Sequence, residues 1–379
     1  MSTRTSNRPG IGTRVFGAQW FVSVLAVLIA FAIGAVLIAL SGASVVDAYY
    51  AMFRGSIVDV NAANPVRMIK PLTDSLFYSI PLIISGLGLA LGFRAGLFNI
   101  GGKGQIIVGA LAAVWVGFAV SLPPVLHALV ALFVAVVAGG LYGGIAGVLK
   151  AKTGANEVIV TIMLNSIATL GLGYTLTQKA WQVPGTNQPV TPKVADTAAL
   201  GRLLPAPFKL HVGFLVAIVA LIAFWWLIER STLGFQIRAV GANAAAARTA
   251  GISVEKITAI TMVISGAFLG LAGANEALGT IGYVSRDVSG SIGFDAITVA
   301  LLGRNRTWGT FGAGLLFGAF KAGGYTMQAK GVPIDMILIL QSVIVLLIAA
   351  PALVRWLFRL PDARAASALT RKGNADEHK

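Results

Sequence analysis

Few residues of this chain could do chemistry, and most of them fail the spacing that chemistry needs. The stretch FRAGLFNIGGKGQ, Phe93 to Gln105, has the composition of a phosphate-binding loop. Such a loop requires a glycine, four residues, then Gly-Lys-Ser/Thr, but Leu97 stands where the first glycine belongs and Gly104 follows Lys103. No glycine fingerprint for a dinucleotide follows a strand pattern either, so if ATP drives this protein another subunit must bind it. The carboxylates Asp74, Glu157, Glu276, Asp295 and Asp335 all fall near the ends of long apolar runs. An ionisable group deep in hydrocarbon marks an ion or proton site, whereas one that reaches an interface has a structural role. Glu157, beside Asn156 at the start of a run, complements a helix dipole. Asn275 with Glu276 is the best polar pair inside an apolar segment. No Ser/His/Asp set or HExxH helix is present, His127, His211 and His378 are far apart, and there is no cysteine, so neither a catalytic nor a metal-binding constellation is expected.

The remaining polar candidates are Asn99 and Gln105 around the glycine-rich break, and Thr161 with Asn165, four residues apart on one helix face. They could hydrogen-bond across helices as packing glue or face a central path, and the sequence leaves both open. Trp115, Trp181 and Tyr174 could stack on a ring-shaped ligand or anchor the chain at a membrane interface.

The elements that must hold these residues are membrane helices. Of 379 residues, 56% are hydrophobic and only 11% charged, which excludes an ordinary soluble domain. Apolar windows long enough to cross a hydrocarbon core of roughly 30 Å recur throughout. Spans are expected near 20–42, 71–92, 104–121, 125–149, 157–177, 212–228, 258–280, 293–303, 308–328 and 333–353. The eighth is too short to cross as a straight helix and reads as a broken or half helix. The fold class is therefore an all-α polytopic membrane bundle of nine or ten segments. The 45 glycines, with GxxxG spacings at Gly88/Gly92, Gly139/Gly143/Gly147, Gly266/Gly270 and Gly314/Gly318, indicate close helix packing.

A net charge of +15 could suggest nucleic acid, but the charges lie between apolar segments, which argues for lipid and against a nucleic-acid partner. With the amino terminus inside, the basic residues fall about two to one on the cytoplasmic side. Both termini are then cytoplasmic, as tails of residues 1–19 and 354–379 around a membrane domain of 20–353. The first apolar stretch, about 20 residues, exceeds the roughly 7 to 15 of a signal core and reads as a retained anchor. Outside lie two longer regions, 43–70 and 178–211; five prolines forbid a regular helix in the second. Inside lies LGFQIRAVGANAAAARTAGIS, Leu233 to Ser253, too polar to cross. Asn243 can cap the run Ala244 to Ala247 and Gly251 can close it. A helix that short needs a packing partner, within the chain or outside it.

Taken in order, FRAGLFNIGGKGQ at 93–105, TGANEVIVTIMLNSIA at 153–168, the 233–253 stretch and IGFDAITVALLGRNRTWGT at 292–310 resemble the permease subunits of bacterial ATP-binding cassette importers for branched-chain amino acids, simple sugars and nucleosides. The likeness covers roughly residues 70–350 and is greatest to nucleoside permeases that work with a basic-membrane-protein-type lipoprotein. It implies a bacterial inner-membrane importer subunit that is not an enzyme and binds no cofactor, ATP and magnesium being used by a partner ATPase. It further implies a second permease, commonly a different chain, and an extracytoplasmic substrate-binding lipoprotein. The 233–253 segment would be the coupling helix, with Arg238, Gly241, Asn243, Ala247, Arg248 and Gly251 docking on the ATPase. The path candidates would be Asn99, Gln105, Thr161, Asn165, Asn275 and Glu276. Lys103 departs from the pattern of the break, where an acidic or small residue is expected. A sugar importer and an ion-coupled secondary transporter are the alternatives; scarce mid-span carboxylates count against the latter.

Overall fold

The computed structural model describes residues 19–62 and 64–333, with residues 336, 338–339, 342–343 and 346–347 beyond them. The expected tails, the last span at 333–353 and Asp335 therefore lie wholly or largely outside the described residues. The described chain is all-α, with a lone bridge between Arg202 and His211 and no strand. Its helices are α1 (Gln19–Leu40), α2 (Val45–Ser56), α3 (Pro65–Arg94), α4 (Gly102–Ala119), α5 (Leu126–Thr153), α6 (Glu157–Thr175), α7 (Gly213–Arg230), α8 (Thr232–Ala242), α9 (Ala244–Thr249), α10 (Val254–Asn275), α11 (Ile292–Leu302) and α12 (Thr307–Gln328). A π turn, Glu276–Ile281, extends α10. Among the described residues six helices are long and apolar enough to cross a membrane: α3, α4, α5, α6, α7 and α10 with its π turn. At 11 residues α11 is about 16 Å long, half a hydrocarbon core, as its short apolar run requires.

Local sequence sets the helix ends. Asn64 accepts from the Val66 amide and Pro65 begins α3, where its missing N–H costs nothing. Asn156 accepts from Val158 and Ile159 to start α6. Two expectations need correction. The 43–70 region, read as a polar or mixed loop, contains α2, whose Ala48 and Ala51 are buried while Val46 and Phe53 are exposed. This helical period is masked by mixed composition. The next helix also begins at Pro65, six residues before the expected span, because the Asn-Pro start outweighs the polarity of Arg67 and Lys70.

The chain divides into two compact units, residues 1–51 with 327–379, and residues 52–326. In the first, Tyr49 packs edge-on against Phe31, ring centroids 5.4 Å apart. The second holds every candidate residue described below. Its centre is α10, which packs most extensively on α5 and also on α4 and α3. The contact with α5 is a glycine seam: a methyl on Gly139 would stand 2.5 Å from the Gly266 carbonyl oxygen, and one on Gly143 2.7 Å from that of Met262. The helices thus meet backbone to backbone, which gains dispersion contacts where lipid supplies no hydrophobic drive between helices. Gly314 and Gly318 place α12 against Ile83 and Ser75 of α3 in the same way.

Candidate functional site

Three polar regions interrupt this apolar body. The first is the break after α3. Gly96, with φ +73°, closes the helix by a paired cap in which Leu97 donates to Gly92 and Gly96 to Phe93. The chain then runs non-helically to Gly101, leaving peptide groups that an apolar surrounding must satisfy. Asn99 Oδ1 accepts from the Gly101 amide, and its Nδ2 donates to Gln105 at 3.0 Å and Ser265 at 2.9 Å. Asn165 accepts from Gly104 and donates to the Ile100 carbonyl, both at 2.8 Å. Thr161 accepts from the Ile100 amide at 3.3 Å and donates to the Glu157 carbonyl at 2.7 Å. Asn99, Gln105, Thr161 and Asn165 are all buried. The break is therefore stitched by a side-chain network joining α4, α6 and α10. We expect Asn165→Leu to strand the Ile100 carbonyl and Gly104 amide at roughly 1 to 3 kcal/mol each. Thermal unfolding of the purified protein in detergent reads the loss, and an unchanged Tm would refute this account of the network.

The second region lies across α10, its π turn, α11 and α12. Asn275 is fully buried and donates to the Gly213 carbonyl at 3.1 Å, so it ties α10 to the start of α7. Glu276, its sequence neighbour, sits instead in the π turn with Thr280, within electrostatic reach of Lys321. Lys321 of α12 pairs with Asp295 of α11 at 2.9 Å, and Ser291 donates to that carboxylate. Tyr78 and Tyr325 pack with ring centroids 5.4 Å apart, and Tyr325 remains 52% exposed. Sequence reading passed over Tyr78, Lys321 and Tyr325. The signal available was a lysine within an apolar helix, which hydrocarbon disfavours unless it is paired. Beside this region His211 is buried; its Nδ1 accepts from Gly213 at 3.1 Å, and burial pushes the imidazole down to about 4, so the ring is neutral at ordinary pH. Trp115 stacks on Trp181 at 4.7 Å, whereas Tyr174 stands 68% exposed.

The third region, 233–253, is two helices rather than the single short one expected. Ser231 caps α8 by accepting from Gly234 at 2.9 Å. Asn243, in extended backbone, ends α8 with its amide and starts α9 with its side chain, which accepts from Ala246 at 3.0 Å. Gly251, φ +83°, closes α9 with bonds from Ile252 to Ala247 and from Gly251 to Arg248, both 3.0 Å. The additional helix, α8, was missed because Phe235, Ala239 and Ala242 share a face but are too few and too small to stand out as a stripe. That face lines an open groove of about 560 Å³ together with Asn243, Ala246 of α9 and Ile252, and Phe235 is 60% exposed in it. Of the six docking candidates, Gly241, Asn243, Arg248 and Gly251 are exposed, Ala247 is buried, and Arg238 is half-buried in a 3.2 Å pair with Glu229. Gly241 lies against the Arg94 carbonyl, so α8 rests on the end of α3.

The sequence over residues 72–349 matches the family described as branched-chain amino acid transport system / permease component. Among characterised proteins it is 40% identical over 345 residues to the guanosine ABC transporter permease protein NupP of Bacillus subtilis, covering 88% of this chain and 94% of that one. It is 32% identical over 365 residues to a nucleoside ABC transporter permease protein of Lactococcus lactis, covering 93% and 96%. A glucose ABC transporter permease protein of Haloferax volcanii is 35% identical over 333 residues, covering 85% of each. No solved structure matches the chain.

Proposed function

Because the chain belongs to the branched-chain amino acid transport system permease family, and is thus a membrane-embedded permease subunit of an ABC transporter, we propose that its cargo is a nucleoside and its direction import. The observation that carries this reading is the 40% identity to a guanosine permease along nearly the whole of both chains. The glucose permease relative keeps sugars as the second reading. The subunit itself holds no nucleotide and performs no catalysis; ATP and magnesium act on partner ATPases, while a second permease completes the path and an extracytoplasmic lipoprotein delivers cargo.

The ATPase docks on the α8–α9 groove, on the cytoplasmic side, in a topology of nine or ten segments with both termini inside. Contacts support that sidedness: Gly241 meets Arg94, Arg94 donates to the Asn305 carbonyl, and Glu157 pairs with Lys150 while accepting from Phe98. The basic residues that the charge rule assigns to the cytoplasm thus gather at one end. ATP-driven closure of the ATPases would pull α8 and α9, and through Gly241 and Arg94 the end of α3. The cargo path would run beside Glu276, Tyr78 and Tyr325, where a base could stack and a carboxylate could accept its hydrogen bonds.

Labelled guanosine uptake by vesicles carrying the permease pair, ATPase and lipoprotein tests the reading. We expect uptake that needs ATP and is displaced by other nucleosides but not by glucose or ribose. Displacement by sugars alone would transfer the assignment to the sugar reading. Uptake that survives ATP depletion and collapses with a protonophore would replace it by an ion-coupled carrier.

A further inference from the structure

A second cavity, of about 940 Å³, opens where α3, α7 and α11 end and α12 begins. Its wall carries Arg94, Arg230, Arg238, Arg304 and Arg306 against one carboxylate, Glu229. Three of the five arginines are held: Arg94 by its bond to the Asn305 carbonyl at 2.7 Å, Arg230 by stacking 5.3 Å above Trp225, and Arg238 by Glu229. Arg304 and Arg306 are exposed, with no carboxylate in ion-pair range among the described residues. Between them the chain is held in left-handed backbone at both Arg304 (φ +53°) and Asn305 (φ +54°), a conformation that side chains beyond glycine disfavour. A turn that presents two unneutralised guanidinium groups beside three more concentrates positive charge that a bound anion would offset.

The level of the cavity says which anion. Arg94 and Arg230 are the last residues of two membrane-spanning helices, α3 and α7. Trp308, which lines the cavity, presents an exposed indole there, as tryptophans do at the depth of lipid headgroups. We propose that this cavity binds the phosphodiester of an anionic phospholipid. Guanidinium forks match phosphate oxygens in pairs, and a basic pocket between helix ends is suited to a lipid headgroup. An acidic surface of a partner protein fits less well, because the α8–α9 groove assigned to the ATPase shares no lining residue with this cavity. Since Arg238 belongs to α8, a bound headgroup fastens the docking segment to the α11–α12 turn.

The test uses the full chain, purified alone and with its partner subunits, in nanodiscs of phosphatidylcholine with or without phosphatidylglycerol. Lipid retained through delipidation is counted by native mass spectrometry. We expect selective retention of phosphatidylglycerol and a higher Tm in its presence, with the Arg304→Gln/Arg306→Gln variant retaining at least about tenfold less. Arg304→Lys/Arg306→Lys should recover part of the retention, and Lys193→Gln/Lys209→Gln, at positions the charge rule assigns to the outside, should lose none. Equal retention of both lipids, or an unchanged glutamine variant, overturns the proposal. Equal stabilisation by millimolar inorganic phosphate overturns the lipid as the source. If the glutamine variant releases the ATPase but keeps its lipid, the cavity is a protein contact and the proposal fails.

Discussion

Gly251→Val is expected to cut ATP-coupled uptake by about tenfold or more while the protein remains in the membrane. Gly251 sits at φ +83°, where a β-branched residue is strained by about 1 to 2 kcal/mol. Its amide and that of Ile252 close α9, which is only six residues long and has no stability of its own. Losing the cap unravels the helix that carries Asn243, Ala246 and Ile252 on the groove. Arg248→Glu reaches the same site by charge. Arg248 pairs with Glu255 at 2.6 Å, but both are exposed, so the lost pair itself has little effect on stability. A deficit in that variant therefore reports on the partner's surface. Both are read as the ratio of substrate transported to ATP hydrolysed by the reconstituted complex. Normal coupling in both variants would remove α9 from the docking surface.

Gly270→Leu should prevent recovery of a monodisperse permease. Gly270 is the point at which α4, α5 and α10 converge: a side chain there meets the Ala135 carbonyl and lies 2.9 Å from Gly139 Cα, and a methyl on Gly109 would in turn strike Gly270. These neighbours are backbone and cannot rotate away, so the cost exceeds the roughly 1 to 3 kcal/mol of ordinary overpacking. Gly171→Leu is the matched control, since nothing lies within 4 Å of a methyl there. Fluorescence-detected size exclusion separates the cases. A normal peak for Gly270→Leu, at wild-type Tm, would show that the seam does not fix the bundle.

The caps Asn243 and Gly251 were legible because capping is short-range, each acting on residues within five positions. The short α11 was legible from the length of its apolar run. What escaped was the splitting of 233–253 into two helices, whose apolar face is made of small residues, and the presence of α2, whose stripe of Val46, Tyr50 and Phe53 is masked by the polar and charged residues around it. The GxxxG spacings could be read as packing signals, but not which helix each would meet.

The sequence by itself determined the solvent and the class of fold. A chain this apolar must satisfy its backbone within helices once it is in lipid, and its charges must collect at the helix ends. It also determined that no nucleotide loop is present, because Leu97 and Gly104 break the required spacing. Only the tertiary structure decided that Asn99, Thr161, Asn165 and Ser265 answer one another across a break, that Lys321 meets Asp295, and that arginines from 94 to 306 share one cavity. Those partners are tens to more than two hundred residues apart. Periodicity and capping act over a few residues, whereas such pairings follow from which glycine faces let helices approach.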